Sequence, residues 1–203
     1  MITVIDYGLG NVRAFLNLYK RLNIPAATAT TPEQLRDARK LILPGVGSFD
    51  HAMTLLDRSG MRPLLDELVV GRGVPVLGIC VGMQILGKRS DEGQLPGLGW
   101  IDGEVRKLPH KSGDAFRLPH MGWNDVAPAV PSALFEGLTQ DARFYFLHSY
   151  YFHCHQRHNV LAETDYGLTF SSAVHTGNIF GVQFHPEKSH QFGTQLLTNF
   201  AEL

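Results

Sequence analysis

Three short stretches hold the residue types from which nucleophilic chemistry can be built. In "PVLGICVGMQIL", residues 75–86, an apolar run ends on Cys80, set between Gly78 and Gly82. Gly-x-Cys-x-Gly between a strand and a helix has the form of a nucleophile elbow, in which a sharp, strained turn holds up the central side chain. A helix opening at "VGMQIL" would present its N-terminus to the sulfur and favour the thiolate. A structural reading stands beside this one: cysteine is among the most buried residues, and glycines at such turns often serve packing alone.

The second stretch, "GVQFHPEKS", places His185 and Glu187 two residues apart after an apolar run. In extended structure residues i and i+2 share a face, so Glu187 could accept a hydrogen bond from one imidazole nitrogen while the other addresses a thiol. The third, "LPGVGSF", residues 43–49, is a glycine turn after another strand. An N–H of Val46 or Gly47, paired with that of Val81, could hold a developing oxyanion, each such donor being worth about 3–4 kcal/mol. Alone, His-Pro-Glu is an ordinary loop and the glycine turn an ordinary tight turn. Together with Cys80 they describe a base, its orienter, a nucleophile and an oxyanion hole.

A fourth cluster, "YYFHCHQRH", brings His153, Cys154, His155 and His158 together. Such ligands can bind zinc. In a strand, however, His153 and His155 share one face and Cys154 points to the other, so exposed histidines on an edge strand beside a buried cysteine are the simpler account. No metal and no cofactor are expected.

The elements that carry these residues read as an α/β fold. "ITVIDYG", "AATAT", "KLILPGVG" and "VPVLGI" are short strand candidates alternating with helical periodicity, the pattern of an open, mostly parallel sheet with helices on both faces. Val12, Phe15, Leu16, Tyr19 and Leu22 recur at three- and four-residue spacing, predicting a helix from Asn11 to Asn23. Thr31-Pro32-Glu33-Gln34 is a capping-box signature, and residues 49–71 read as one or two helices broken near Gly60 and Pro63. After Gly93 the closely spaced candidates "GWIDGEVRKL", "MGWNDV", "RFYFLHSYYFH", "NVLAETDYG", "LTFSSAVHTG" and "NIFGVQF" predict a mixed or antiparallel extension. A closing helix carries Phe192, Leu196, Leu197 and Phe200 on one face. With no repeat or linker, residues 1–203 read as one domain.

Composition narrows the classes. Lys and Arg number 18 against 19 Asp and Glu, leaving no basic excess for nucleic acid. Two cysteines, no basic N-terminal region before an apolar core, and no apolar run of spanning length predict a protein of the reducing cytoplasm.

"PGVGSFDHAM", "GICVGMQ", "SDEGQLPGLGW", "PHMGWN", "FYFLHSYYF" and "GVQFHPEKS" occur in this order. The chain thereby resembles the class I (Cys-His-Glu) glutamine amidotransferases, and within them the glutaminases of histidine biosynthesis. The resemblance implies hydrolysis of glutamine to glutamate and ammonia, and delivery of the ammonia to a cyclase partner built as a (β/α)8 barrel. It assigns Cys80 as nucleophile, His185 as acid and base, and Glu187 as orienter. It places Gln84 and Glu92 on the substrate glutamine, Ser149 and Tyr150 near its α-carboxylate, and Asn11, Trp123, Tyr145 and Lys188 against the partner. It also implies a glutaminase nearly idle until the partner binds its own ligand. Two other readings keep the same residues: a stand-alone cysteine hydrolase, and an inactive binding subunit whose thiol merely packs.

Overall fold

The computed structural model describes residues 1–109, 116–138 and 141–203. The N-terminal half lays down β1 (Ile2–Ile5), α1 (Val12–Arg21), β2 (Ala26–Ala29), α2 (Pro32–Leu35) and β3 (Leu41–Gly45). It continues with α3 (Phe49–Arg58), α4 (Arg62–Asp66), a π-helical turn at Glu67–Gly71, β4 (Val76–Cys80) and the single helical turn α5 (Val81–Gln84). Every residue of β1, β3 and β4 is buried, as their near-continuous apolar sequence requires of central parallel strands. Asn11 starts α1 by accepting the N–H of Ala14 on its side chain at 3.3 Å, and the helix buries Val12, Phe15, Leu18 and Tyr19.

The C-terminal half adds β5 (Gly103–Lys107), β6 (His120–Asp125), β7 (Ala127–Pro128), β8 (Arg143–His148), β9 (Tyr150–Cys154), β10 (Val160–Asp165), β11 (Thr169–Thr176), β12 (Ile179–Val182) and α6 (His190–Glu202). The main sheet runs β2-β1-β3-β4-β12-β11-β10-β7. From β2 to β12 neighbours are parallel; from β12 onward they are antiparallel. This is the open parallel sheet with an antiparallel extension that the sequence predicts. Strands β6 and β8 form a separate two-stranded ribbon. No helix among the described residues is long and apolar enough to cross a membrane.

Four local expectations change. "RFYFLHSYYFH" is two strands, not one: the chain breaks at Ser149, sending β8 to the ribbon and β9 to the main sheet. Strand β9 is not an edge, because it pairs with both β5 and β11, and Cys154 on it is half-buried. The predicted capping box is displaced by one residue. Gln34 Oε1 accepts from the N–H of Thr30 at 2.7 Å, and Thr31 makes no side-chain cap bond. Finally, "VGMQIL" forms only the four-residue α5, shorter than the helix the sequence predicts after Cys80.

Candidate active site

Cys80 ends β4 with φ 56° and ψ −114°, on the positive-φ side that residues with a side chain rarely occupy. The strand beneath it is fixed on both sides, with Cys80 paired to Gly45 of β3 and Ile79 to Val182 of β12. The loops beyond three parallel strands therefore meet at the sulfur, at the carboxyl ends where open α/β sheets bind ligands. The glycines explain the tightness of the turn. A Cβ on Gly82 would stand 1.9 Å from the carbonyl oxygen of Leu43, and one on Gly45 would stand 2.3 Å from the nitrogen of Gly82. Backbone lies against backbone, which brings the Val46–Gly47 turn beside Val81.

Past β12 the chain turns at Pro186, whose ring-fixed φ suits the first position of the 3-10 turn Pro186–Lys188. Across that turn His185 Nδ1 lies 2.9 Å from Glu187 Oε1, both side chains being buried. The predicted pair forms, but through the turn and not along an extended strand. Its backbone is held on two sides: His185 donates its N–H to the carbonyl of Tyr145 at 2.8 Å, and Ser189 Oγ donates to the carbonyl of His185 at 2.6 Å. Cys80 acts on the imidazole from close by, and its Sγ lies 4.0 Å from the carbonyl of Leu147. Burial works against the imidazolium, but the bonds to Cys80 and Glu187 and their negative charge outweigh it, raising the His185 pKa to about 10.

A cavity of about 320 Å³ opens over the sulfur, and Val46, Gly47, Cys80, Val81, Gln84, Glu92, Ser149, Tyr150 and His185 all line it. Glu187 sits behind His185. Both amide hydrogens of Gln84 already have protein acceptors, Tyr150 O at 3.1 Å and Gln183 Oε1 at 3.0 Å, leaving its carbonyl oxygen for a ligand. Glu92 Oε2 accepts the N–H of Phe49 at 2.9 Å, and Asp50 accepts from Gln94 and Leu95. These bonds tie the Glu92 loop to the chain leaving the Val46–Gly47 turn. Tyr7 donates its hydroxyl to the carbonyl of Pro44 at 2.7 Å, fixing the chain that enters it. Val46 itself is 42% exposed.

Three of the residues set against a partner cluster at the ribbon. Trp123 stacks on His190 with ring centroids 5.2 Å apart and meets Tyr145 edge-on at 6.2 Å, while Lys188 Nζ stands 5.6 Å over the Tyr145 ring. Lys188 also lines the cavity, so it touches both regions. Asn11 caps α1, a helix that contacts the Pro186–Lys188 turn.

Gln183 and His148 were missed by sequence reasoning. Gln183, fully buried, points its amide nitrogen at Cys80 Sγ, 3.8 Å away. Its signal was a lone amide in an apolar strand, two residues before His185. His148 lines the cavity beside Ser149, and nothing in "FYFLHSYYF" distinguishes its histidine from a surface one. No group of three or more His, Cys, Asp or Glu residues placed to hold a metal occurs among the described residues. Burial pushes the Cys154 thiol up to about 11.

Comparisons with known proteins agree with this geometry. The Glutamine amidotransferase class-I family profile matches residues 3–203. The chain is 59% identical over 204 residues to the imidazole glycerol phosphate synthase subunit HisH of Bdellovibrio bacteriovorus, and 48% identical over 204 residues to that of Leptospira interrogans, covering 100% of each chain. A crystal structure of a glutamine amidotransferase superposes with a TM-score of 0.75 at 23% identity, covering 100% of this chain and 99% of the other, and so shares the fold. A thiol, an imidazole and a carboxylate meeting at the carboxyl ends of two parallel strands, within a full-length family match, establish that the chain belongs to the class-I glutamine amidotransferase family.

Proposed function

We propose that this protein is the glutaminase subunit of an imidazole glycerol phosphate synthase, acting through Cys80, His185 and Glu187 as a single 1–203 domain. The observation that carries the reading is the buried Cys80–His185–Glu187 chain opening into one cavity with the oxyanion turn. His185 takes the proton of Cys80, and the sulfur attacks the side-chain amide carbon of glutamine. The oxygen becomes negative and meets the N–H groups of Val81 and of Val46 or Gly47. An imidazolium of raised pKa, held by Glu187, then gives its proton to the departing nitrogen, and ammonia leaves. Water, deprotonated by His185, attacks the thioester, releasing glutamate and restoring the thiol. Gln84 and Glu92 hold the substrate, and Ser149 and Tyr150 receive its α-carboxylate.

Full-length relatives named as subunits of imidazole glycerol phosphate synthase support the assembly. The ammonia passes to a (β/α)8-barrel cyclase, which joins it to a ribulosyl formimino carboxamide ribonucleotide and releases imidazole glycerol phosphate and an aminoimidazole carboxamide ribonucleotide. The partner docks on Trp123, Tyr145, Lys188 and Asn11, beside the exposed Met121 and Leu147 of the ribbon. Ammonia made without an acceptor is wasted, so a peptide rearrangement at Val46 completes the oxyanion hole only in the active complex. The test is glutamine turnover by the chain alone, with the cyclase, and with cyclase plus nucleotide. Stepwise activation supports the reading, and full activity in isolation overturns the coupling. Turnover in none of the three favours the inactive binding subunit.

A further inference from the structure

Behind the Ser149–Tyr150 edge of the cavity runs a hydrogen-bonded chain that the mechanism above does not use. His148 Nδ1 lies 2.8 Å from the carbonyl of Tyr150, His148 Nε2 lies 2.9 Å from His120 Nδ1, and His120 Nε2 lies 3.2 Å from Asn124 Nδ2. Its protons have no freedom. A carbonyl only accepts, so His148 carries its hydrogen on Nδ1 and its Nε2 accepts. His120 must then donate from Nδ1 and accept at Nε2, which is what an amide NH2 demands. The Asn124 amide is itself oriented, because its oxygen accepts from Asp125 N at 2.9 Å and its nitrogen donates to Asp165 O at 2.9 Å. Read from either end, the chain gives the same tautomers, with both rings neutral and every ring nitrogen satisfied. Burial favours those neutral rings, holding His120 at about 4 and His148 at about 3.

The two ends have distinct places. At one, the Tyr150 carbonyl accepts both His148 and Gln84, the latter in the turn after the nucleophile. At the other, His120 and Asn124 occupy the inner face of β6, whose outer face carries the exposed Met121 and Trp123. Two strands alone are marginal in water. The His120 ring, stacked on Phe146 of the ribbon's other strand at 4.6 Å and on Tyr166 outside the ribbon at 3.8 Å, fastens this ribbon to the body through Tyr166.

We propose that His120 and His148 are positioning residues for glutamine binding, a tautomer-locked relay that holds the Ser149–Tyr150 edge of the pocket from the ribbon. The inference rests on the glutaminase reading above. Without the proton of His120, His148 no longer has to keep its own on Nδ1, the Tyr150 carbonyl loses a donor, and the edge that receives the substrate loosens.

The test compares the cyclase complexes of wild type, His120→Phe and His120→Asn. His120→Phe keeps the ring stack and deletes both hydrogen bonds, whereas His120→Asn restores a donor at the position of Nδ1. The relay predicts a glutamine KM raised about five- to tenfold in His120→Phe, the effect of losing about one buried hydrogen bond, with kcat within about twofold of wild type. It predicts that His120→Asn recovers most of the loss. An unchanged KM in His120→Phe, a fall in kcat alone, or equal loss in both variants overturns it. Should His120→Phe fail to fold, ring-nitrogen NMR of the wild-type protein decides: neutral rings protonated on Nδ1 support the relay, and protonation on Nε2 of either ring overturns it. That measurement stands even if the wild-type complex fails to hydrolyse glutamine, the result that would sink the functional reading instead.

Discussion

The strain at Cys80 predicts an unusual order of stabilities. Cys80→Ala removes the sulfur but leaves a Cβ on a backbone at φ 56° and ψ −114°. Cys80→Gly removes the Cβ and relaxes it. At an unstrained buried position, replacing Ala by Gly loses about 0.7 kcal/mol through the freer unfolded chain and about 0.8 kcal/mol through the missing methyl group. Holding a non-glycine residue in this region costs about 2 kcal/mol, within a range of about 1–3. The relief outweighs the losses, so the glycine variant comes out about 0.5 kcal/mol more stable than the alanine variant. For a chain of this size that is a melting temperature about 1–2 °C higher. Urea denaturation of both variants at equal m-value, with calorimetry alongside, measures the difference, and neither variant should hydrolyse glutamine. A glycine variant less stable than the alanine variant by about 1.5 kcal/mol, the unstrained expectation, would refute the claim that the elbow stores strain.

Glu187→Gln keeps an oxygen for His185 Nδ1 but removes the charge. The difference between a charged and a neutral hydrogen bond, about 1–2 kcal/mol, predicts kcat lowered about five- to thirtyfold in the activated complex, and a wild-type rate would contradict Glu187's electrostatic role. Because the His185 pKa is raised to about 10, the folded state binds the extra proton above the unfolded value of about 6.5, so this group's contribution to stability is full below that pH and is lost as pH rises towards about 10. His185→Asn should therefore flatten the fall in urea midpoint between about pH 7 and pH 9, and an unaltered slope would assign that fall to other groups. Gly82→Ala drives a methyl group to 1.9 Å from Leu43 O. Since backbone cannot step aside as a side-chain tip can, a loss of about 3 kcal/mol or more is expected in the urea midpoint, and near-wild-type stability would mean the two loops are less tightly opposed.

Local chemistry was legible where one residue determines it. That Cys80, His185 and Glu187 come together was readable because Gly-x-Cys-x-Gly and His-x-Glu each put a fixed residue type at a fixed spacing. The parallel half was readable because its buried strands are continuous apolar runs. What stayed hidden depends on pairing across the fold. "RFYFLHSYYFH" has strand propensity throughout, and only the competition between the ribbon and the main sheet breaks it at Ser149. The tautomers of His120 and His148 come from partners 28 residues apart in sequence. Gln183 is one polar residue in an apolar strand until β4 brings Cys80 beside it. The His185–Glu187 pair was foreseen for a reason that did not hold, since a 3-10 turn at Pro186 brings the two together where an extended strand was expected.

The central claim is that Cys80 is the nucleophile of a glutamine site. An electrophilic glutamine analogue, incubated with the cyclase complex and followed by peptide mass mapping, tests it most directly. The account predicts one adduct, on Cys80, suppressed by excess glutamine, with Cys154 left unmodified. Labelling of Cys154 alone, or labelling of Cys80 that glutamine does not suppress, would contradict it.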